Sequence, residues 1–207
     1  MRYKLKVLLR SLKDFFARLF LYLNFYNVKK AVQGKNGKER RGNMEIREVI
    51  KEDIEQIISL LRQVEELHYI NMSDIFKMKS EDEIEEYIID IFENEEKKMI
   101  VAVNEAIKVC GILVYRIKYI KYHVNLKPAK ILWIEELCVD ENSRKKGIGK
   151  TLMLEAEKAT EKLKCDRIEL NCWEFNENAI KFYEEIGMIK QRIIMEKQVG
   201  GDKNEIF

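Results

Sequence analysis

The sequence predicts a mixed β-sheet covered by helices, an α/β fold of the α+β kind. Apolar residues make up 46% of the 207 residues, which is enough for a substantial core and excludes disorder throughout. Strand-like and helical periodicities follow one another in the order strand, two helices, several antiparallel-type strands, then strand, helix, strand, helix, strand. A glycine turn at residues 143–150 joins an apolar strand to an amphipathic helix.

The first 43 residues differ in charge from the rest of the chain. They hold 12 Lys/Arg and two acids, a net charge of +10, whereas residues 44–207 carry −8. Residues 3–30 place leucines and phenylalanines on one helical stripe with the basic residues largely opposite, which predicts a basic amphipathic helix. It is too short and polar for a transmembrane span, and no secretory cleavage site follows. Two interpretations stay open: a helix that docks on a membrane surface or a partner, and an extension upstream of a start at Met44.

The chain is predicted to divide into four segments. Residues 1–32 form the basic helical extension. Residues 33–43 are polar, contain three glycines and lack periodicity, which predicts a linker. The folded domain covers residues 44–199, and residues 200–207 form a tail.

Apolar spacing predicts each element of the folded domain in turn. Ile46 and Val49 indicate a first strand, and a helix follows Asp53. The sequence Ser80-Glu81-Asp82-Glu83 is a capping-box pattern and predicts the start of a second helix. The later elements are predicted as strands at 99–103 and 109–117, a strand end and loop at 118–130, a strand at 131–139, a helix at 147–164, a strand at 168–173, a helix at 176–186 and a last strand at 188–199.

The cysteines and histidines do not form a metal-binding pattern. Cys110, Cys138, Cys165 and Cys172 lack CxxC or Cys/His ligand spacing, and three of them lie in strand-like apolar runs. They are interpreted as small buried hydrophobes in a reducing compartment, which favours a cytoplasmic location and no metal cofactor. The histidines are far apart in sequence, so neither a zinc centre nor a His-based triad is expected. The split of charge argues against nucleic acid as a partner.

The strongest functional pattern is the turn Ser143-Arg144-Lys145-Lys146-Gly147-Ile148-Gly149-Lys150, which follows the strand ending in Glu135-Glu136-Leu137-Cys138-Val139-Asp140. A helix that opens on glycines presents free N–H groups and the positive end of its dipole to an anion. A Walker A loop would require glycine where Arg144 stands, and a dinucleotide fingerprint would require glycine or alanine at Leu152. An ordinary strand-to-helix turn with solvated lysines remains the alternative to a phosphate cradle.

This stretch resembles the acetyl-coenzyme A signature of the GNAT family of N-acetyltransferases. A second segment, from Asn176 to Met188, resembles the family pattern Asn-x-x-Ala-x-x-Phe-Tyr-x-x-x-Gly-Phe, with methionine in place of the last phenylalanine. Met44-Glu45-Ile46-Arg47, with Asp53 and Ile54, is similar to a typical family start. The resemblance covers residues 44–199 and implies a mostly antiparallel, twisted central sheet with helices on both faces.

The resemblance also implies how acetyl-CoA is held. Main-chain N–H groups from Arg144 to Lys150 and the helix N-terminus are expected to bind the pyrophosphate, with charge added by Arg144 and by Lys145 or Lys146. The main chain of the preceding strand is expected to pair with the pantetheine arm and to offer an N–H group to the oxyanion. The expected cofactor-binding residues are Leu137, Cys138, Val139, Arg144, Lys145, Lys146, Gly147, Ile148, Gly149, Lys150 and Asn176, the last also a plausible helix N-cap.

For catalysis, the resemblance places Tyr183 near the sulfur of the coenzyme as general acid, whereas its helical spacing alone is also that of a core aromatic. Glu135 and Glu136 are the candidate general bases. Adjacent acids on an apolar strand are unusual, and alternation predicts that they point to opposite faces. Asn171 stands where some protein-acetylating relatives have glutamate, which argues against their mechanism.

The predicted function is an N-acetyltransferase that moves the acetyl group of acetyl-CoA to a primary amine by direct attack. The alternative is a non-catalytic acyl-CoA-binding regulatory module. The acceptor is expected to depend on the first two helices, the 118–130 loop and a final hairpin, and the acidic domain favours cationic amines. A monomer or homodimer is expected, located in the cytoplasm and in contact with a membrane surface if residues 1–30 bind one.

Overall fold

The computed structural model describes residues 39–41 and 44–197, and the chain divides after Glu169 into two compact units. The predicted amphipathic helix at 1–32, residues 33–38 of the linker and the tail at 200–207 lie outside the described residues. No helix within the described ranges is long and apolar enough to cross a membrane.

The fold is a mixed α/β arrangement built on a six-stranded sheet. The strands are β1 Glu39–Arg41, β2 Met44–Glu48, β3 Lys97–Asn104, β4 Val109–Ile120, β5 Ala129–Val139 and β6 Arg167–Leu170. They lie in the sheet in sequence order, and the pairs from β1 through β5 are antiparallel. The helices are α1 Ile54–Asn71, α2 Glu81–Glu93, α3 Ile148–Lys162 and α4 Glu177–Glu185. The predicted fold class is confirmed.

Alternation along the central strands supplies apolar side chains to both faces of the sheet. One face packs against α1 and α2 in a single buried cluster that includes Ile57, Leu60, Ile84, Ile88, Val101, Ile112 and Val114. The opposite face carries α3, whose Ile148 and Leu152 side chains approach Gly111 of β4. Burial on both faces explains why the central strands read as nearly continuous apolar runs.

The entry into α1 is fixed by a buried ion pair. Asp53 is 2% exposed, and its carboxylate accepts two hydrogen bonds from the Arg47 guanidinium, at 2.6 and 2.9 Å. It also accepts the N–H of Ile50 at 2.9 Å. The predicted capping box of α2 is confirmed, because the Glu83 N–H donates to Ser80 Oγ and the Ser80 N–H donates to the Glu83 carboxylate, at 3.2 and 2.8 Å.

Two predicted segments differ from the structure. Residues 39–41, predicted to belong to the linker, form β1 and pair with β2. The last strand predicted at 188–199 is wrong over 188–197, which form neither helix nor strand. The apolar side chains there, Ile189, Ile193, Ile194 and Met195, are exposed, so the alternation that suggested a strand buries nothing in this segment.

Candidate functional site

The turn after β5 is anchored by a buried carboxylate. Asp140 is 4% exposed and accepts hydrogen bonds from Ser143 Oγ at 3.0 Å, Lys108 Nζ at 3.2 Å and Gln63 Nε2 at 3.3 Å. Burial alone raises the pKa of Asp140, but the hydrogen bonds from Gln63, Ser143 and Lys108 outweigh it and lower the pKa. Gln63 Oε1 in turn accepts the N–H of Glu141 at 3.1 Å. Helix α1, through Gln63, and Lys108, the residue before β4, thus both hold the start of the turn.

The rest of the turn is shaped by two residues in the left-handed region. Lys145 has φ 60° and Gly147 has φ 79°, and together they redirect the chain so that α3 begins at Ile148. Glycine adopts this conformation freely, whereas lysine does so only with strain. Two basic side chains fold back on the turn: Arg144 Nε donates to the Val139 carbonyl at 3.2 Å and Lys146 Nζ to the Asn142 carbonyl at 3.0 Å.

The start of α3 exposes main-chain donors. The first bond of the helix runs from the Thr151 N–H to the Gly147 carbonyl at 3.0 Å, so the N–H groups of Ile148, Gly149 and Lys150 have no acceptor within the helix. A Cβ atom built on Gly147 would meet no atom within 4 Å, so the space before these donors is open. The exposed lysines at 145 and 150 form no ion pair with any residue that the structure describes. This end of α3 can bind an anion.

Gly111 lets α3 approach the sheet, and sequence reasoning missed it. A Cβ atom there would lie 2.9 Å from the Cys138 carbonyl oxygen, 3.1 Å from Ile148 Cγ2 and 3.2 Å from Leu152 Cδ1. A glycine within a strand pattern is the available signal for such a close approach. The residues on either side of this contact, Cys138 and Ile148, are buried, so only their main chain is available to a ligand.

One edge of β5 is open beyond its midpoint. The Asp166 N–H donates to the Lys130 carbonyl at 2.7 Å, so β6 begins beside the start of β5. Strand β6 has four residues and β5 has eleven, so β6 reaches only the first part of β5. Within the described part of the first unit, the main chain of residues 135–139 therefore has no strand neighbour on the side away from β4. That edge can pair with an extended ligand.

A β-bulge interrupts β5 at the two glutamates. Val114 of β4 pairs with Glu136, whereas the next residue, Tyr115, pairs with Ile134, so Glu135 is the extra residue. Glu136 lies opposite Val114 on the face covered by α1 and α2, and Glu135 reaches the same side, where it meets Lys97. The prediction that the glutamates point to opposite faces is wrong, because the bulge cancels one step of alternation.

The two glutamates have different surroundings. Glu135 Oε1 accepts a hydrogen bond from Arg116 Nε at 2.6 Å, and its other oxygen lies 3.5 Å from Lys97 Nζ. Glu136 receives no hydrogen bond from the residues described. Burial raises the pKa of Glu136 to about 7; Lys79 opposes that rise, while Glu135 adds to it. The adjacent carboxyl groups therefore differ in chemistry: one is ion-paired, and the other can take up and release a proton near neutrality.

Helix α2 adds Tyr87 to this cluster, a residue that the sequence did not single out. Burial raises the pKa of the Tyr87 phenol, and the charges of Glu136 and Glu135 raise it further, so the phenol keeps its proton. Lys79 and Lys97 place their ammonium groups 5.5 and 5.8 Å from the centre of its ring. The cluster is assembled from β5, α2 and the segment before α2, and no local motif connects these parts.

The second unit, from Leu170, holds two predicted site residues. Asn176 Oδ1 accepts the N–H of Ala179 at 3.2 Å, so Asn176 is the N-cap of α4. Tyr183 is half-buried, and its ring centre lies 5.3 Å from that of Phe182. The helix ends at Glu185, and Gly187 just beyond it has a left-handed φ of 92°.

The four cysteines are all described by the structure, and none of them is paired in a disulfide. Cys110 and Cys138 are buried, Cys165 and Cys172 are half-buried, and all four are free thiols. Burial raises the pKa of the Cys138 thiol to about 12, so it is not a reactive thiolate. No group of three His, Cys, Asp or Glu side chains within 39–41 and 44–197 is arranged to hold a metal ion.

A family model described as "Acetyltransferase (GNAT) family" matches residues 61–188 of the chain. No curated protein matches the chain significantly. Among solved structures, a mutant of the BH1408 protein from Bacillus halodurans is 28% identical with a TM-score of 0.70, and the match covers 74% of this chain and 98% of that one.

Two more distant structures share the fold. The aminoglycoside N-acetyltransferase AAC(6')-Iy, solved with CoA, is 17% identical with a TM-score of 0.61, over 77% of this chain and 97% of that one. Glucosamine-6-phosphate N-acetyltransferase from Arabidopsis thaliana is 23% identical with a TM-score of 0.56, over 77% and 100%.

Proposed function

The chain belongs to the GNAT acetyltransferase family, and on this premise we propose that it moves the acetyl group of acetyl-CoA to a primary amine by direct attack. The observation that carries the proposal is Glu136, a carboxyl group whose pKa burial raises to about 7, a few residues before an anion-binding turn. A carboxylate with that pKa can accept a proton from an ammonium group at neutral pH.

The turn fits the pyrophosphate of the coenzyme. The free N–H groups at the start of α3 would bind it, and the exposed charges of Arg144, Lys145 and Lys150 would surround it. Lys146 contributes less, because its ammonium group is bonded to the Asn142 carbonyl. The open edge of β5 at Leu137, Cys138 and Val139 would pair with the pantetheine arm through main-chain groups. Asn176 would make a further contact with the coenzyme.

Proton transfer is assigned to side chains of this chain. Acetyl-CoA, when bound, supplies an acetyl group activated as a thioester. Glu136 would take a proton from the acceptor ammonium and so free the nitrogen lone pair for attack. Glu135 would not serve as base, because its carboxylate is paired with Arg116, and it would act as a fixed negative charge. Tyr183 would give its phenolic proton to the departing sulfur, since a phenol is protonated at neutral pH.

The surroundings of Glu136 already hold two ammonium groups, those of Lys79 and Lys97, and this supports a cationic acceptor. Glu65, Glu135 and Asp90 lie in the same cluster as Glu136, and Tyr87 offers the face of its ring to ammonium groups. The ammonium group of an acceptor could bind beside those of Lys79 and Lys97 or take their place. Polyamines and lysine side chains are therefore the first amines to test.

The experiment measures thioester consumption by the full chain with acetyl-CoA and a panel of amines, and identifies products by mass spectrometry. Wild type is expected to acetylate at least one cationic amine, and Glu136→Gln to lose turnover while still binding the coenzyme. Glu157→Gln, an exposed glutamate of α3, is the matched control. Binding of acetyl-CoA without turnover of any amine would instead support the regulatory module.

Three further assignments belong to the proposal. The protein acts in the cytoplasm, as a monomer or homodimer. It reaches a membrane surface through residues 1–30 if that basic segment folds as an amphipathic helix. Vesicle binding by a peptide of residues 1–43 tests the last assignment, and indifference to anionic vesicles would reject it.

A further inference from the structure

We propose that the loop between β4 and β5, residues 121–128, docks the protein on an anionic bilayer surface. The loop is closed at its base by the pairs Tyr119–Lys130 and Ile120–Ala129. All eight of its residues are exposed. Tyr122 is 97% exposed, Val124 is 98% exposed and Leu126 is 52% exposed, so large apolar groups stand in solvent at alternate positions of the loop.

It is unusual for several large apolar side chains at the tip of one loop to be this exposed. A single exposed valine or tyrosine needs no explanation, but three within five residues form one apolar projection. The loop stays ordered at its centre, where the Asn125 N–H donates to His123 Nδ1 at 3.1 Å. Among the residues that the structure describes, Tyr122 and Val124 remain almost fully exposed, so an external apolar phase would be needed to bury them.

The base of the loop is cationic. Residues 118–130 contain Lys118, Lys121, Lys127 and Lys130 and no acid, whereas residues 44–207 as a whole carry −8. The ammonium groups of Lys118 and Lys121 lie 4.5 and 5.3 Å from the ring centres of Trp133 and Tyr119. Lys121 and Lys127 therefore flank the apolar tip in sequence, and their charge is opposite to the net charge of residues 44–207.

An anionic bilayer matches both features. Valine and leucine can enter the acyl boundary, tyrosine is stable at the headgroup level, and lysines above them attract anionic lipids. Nucleic acid and an acidic polypeptide would match the lysines but not Val124 and Leu126. The inference depends neither on acetyl transfer nor on residues 1–30, although that segment's sequence suggests the same kind of partner.

The test is co-sedimentation of the full chain with phosphatidylcholine vesicles, with and without phosphatidylserine. Wild type is expected to bind only the anionic vesicles. Lys121→Gln with Lys127→Gln should weaken binding by about 25-fold, or about fivefold for each lysine. Tyr122→Ser with Val124→Ser should weaken it by at least about tenfold. The melting temperature of both loop variants should stay at the wild-type value, because all four side chains are exposed.

Matched controls come from other surfaces of the first unit. Ile70→Ser with Ile75→Ser removes exposed apolar groups from α1 and the segment after it, and Lys98→Gln with Lys162→Gln removes two exposed charges. Both controls should bind as wild type does. Tryptophan introduced as Val124→Trp should shift its emission to shorter wavelength on anionic vesicles, whereas Ile70→Trp should not.

The proposal is overturned if either loop variant binds vesicles as tightly as wild type, because another segment would then carry the binding. It is also overturned if wild type ignores anionic vesicles, or binds RNA or an acidic polypeptide through these lysines instead.

Discussion

The bulge lies within β5 and the turn directly follows that strand, but the two regions supply different kinds of functional group. At the turn, the donors are main-chain N–H groups, and a buried network around Asp140 fixes their position. At the bulge, the reactive group is a side chain whose protonation depends on what surrounds it. The turn should therefore respond to changes in backbone geometry, and the bulge to changes in charge and burial.

The largest expected effect is at the bulge. Glu136→Gln should lower the turnover rate by about 10² to 10⁴-fold, because an amide cannot accept the proton of the acceptor ammonium. Coenzyme binding at the turn should change little. Steady-state kinetics with the best amine of the panel, together with a binding measurement for the coenzyme, check both statements. Turnover at the wild-type rate would remove Glu136 as base.

The same substitution should stabilise the folded protein at alkaline pH. The pKa of Glu136 is raised in the folded state, so stability is lost as the pH rises from the unfolded pKa of a glutamate to about 7. At pH 8 the neutral amide should be more stable than the ionised carboxylate by on the order of 2 kcal/mol. The advantage should vanish near pH 4, where the carboxyl group is protonated in both states. Urea unfolding at both pH values measures it, and equal stabilities at pH 8 would contradict the pKa shift.

The next effect concerns the anchor of the turn. Asp140→Ala should destabilise the protein by about 2–4 kcal/mol, because it leaves Lys108, Gln63 and Ser143 without their shared acceptor. It should also raise the KM for acetyl-CoA more than it lowers kcat, since the turn and not the bulge is disturbed. Asp82→Ala, a change of an exposed aspartate in the first turn of α2, serves as control. A fall in kcat alone would mean that the two regions are not separable.

A smaller effect is expected at the contact between α3 and the sheet. Gly111→Ala should cost about 1–3 kcal/mol, because its Cβ atom would stand 2.9 Å from a main-chain oxygen that cannot move aside alone. Gly147→Ala is the matched comparison: the space there is open, and only the left-handed φ of 79° opposes the new methyl group. It should cost about 1–2 kcal/mol. Thermal melts rank the two losses of stability. A larger loss for Gly147→Ala would show that steric crowding is not what excludes a side chain at Gly111.

The smallest effect is a gain. Lys145→Gly should stabilise the protein by about 0.5–1 kcal/mol, because glycine adopts the left-handed φ of 60° without strain. Lys145→Ala removes the same charge but keeps the Cβ atom, and so should show no gain. Both variants should weaken acetyl-CoA binding equally if the ammonium group contributes to it. Chemical denaturation of wild type and the two variants measures the change in stability. A gain in stability for Lys145→Ala would contradict the explanation by backbone strain.

The sequence predicts the turn after β5 more fully than the network of side chains that holds it. The turn is encoded locally: an apolar strand, cations, two glycines and a helix lie in one continuous stretch, so its position could be predicted residue by residue. The network that holds it could not, because Gln63 and Lys108 are far from Asp140 in sequence and nothing in their neighbours marks them.

The bulge shows a different limit. The pair Glu135-Glu136 stood out as unusual, yet simple alternation put the two carboxyl groups on opposite faces. Only the pairing of β5 with β4 reveals that Glu135 is the extra residue. Only the packing of α1 and α2 on the sheet shows that Glu135 is ion-paired whereas burial raises the pKa of Glu136. The predicted strand at 188–199 failed for a related reason, since alternation indicates a possible face but not the partner that would cover it.

The pH dependence of kcat/KM for wild type and Glu136→Gln tests the central claim most directly. With the best cationic amine, the wild-type value should rise with an apparent pKa near 7, as Glu136 loses its proton, before the acceptor ammonium itself titrates at higher pH. The variant should lack the step near pH 7 and keep only the later rise. The same step in both proteins, or wild-type activity in the variant, would contradict the assignment of Glu136 as the general base.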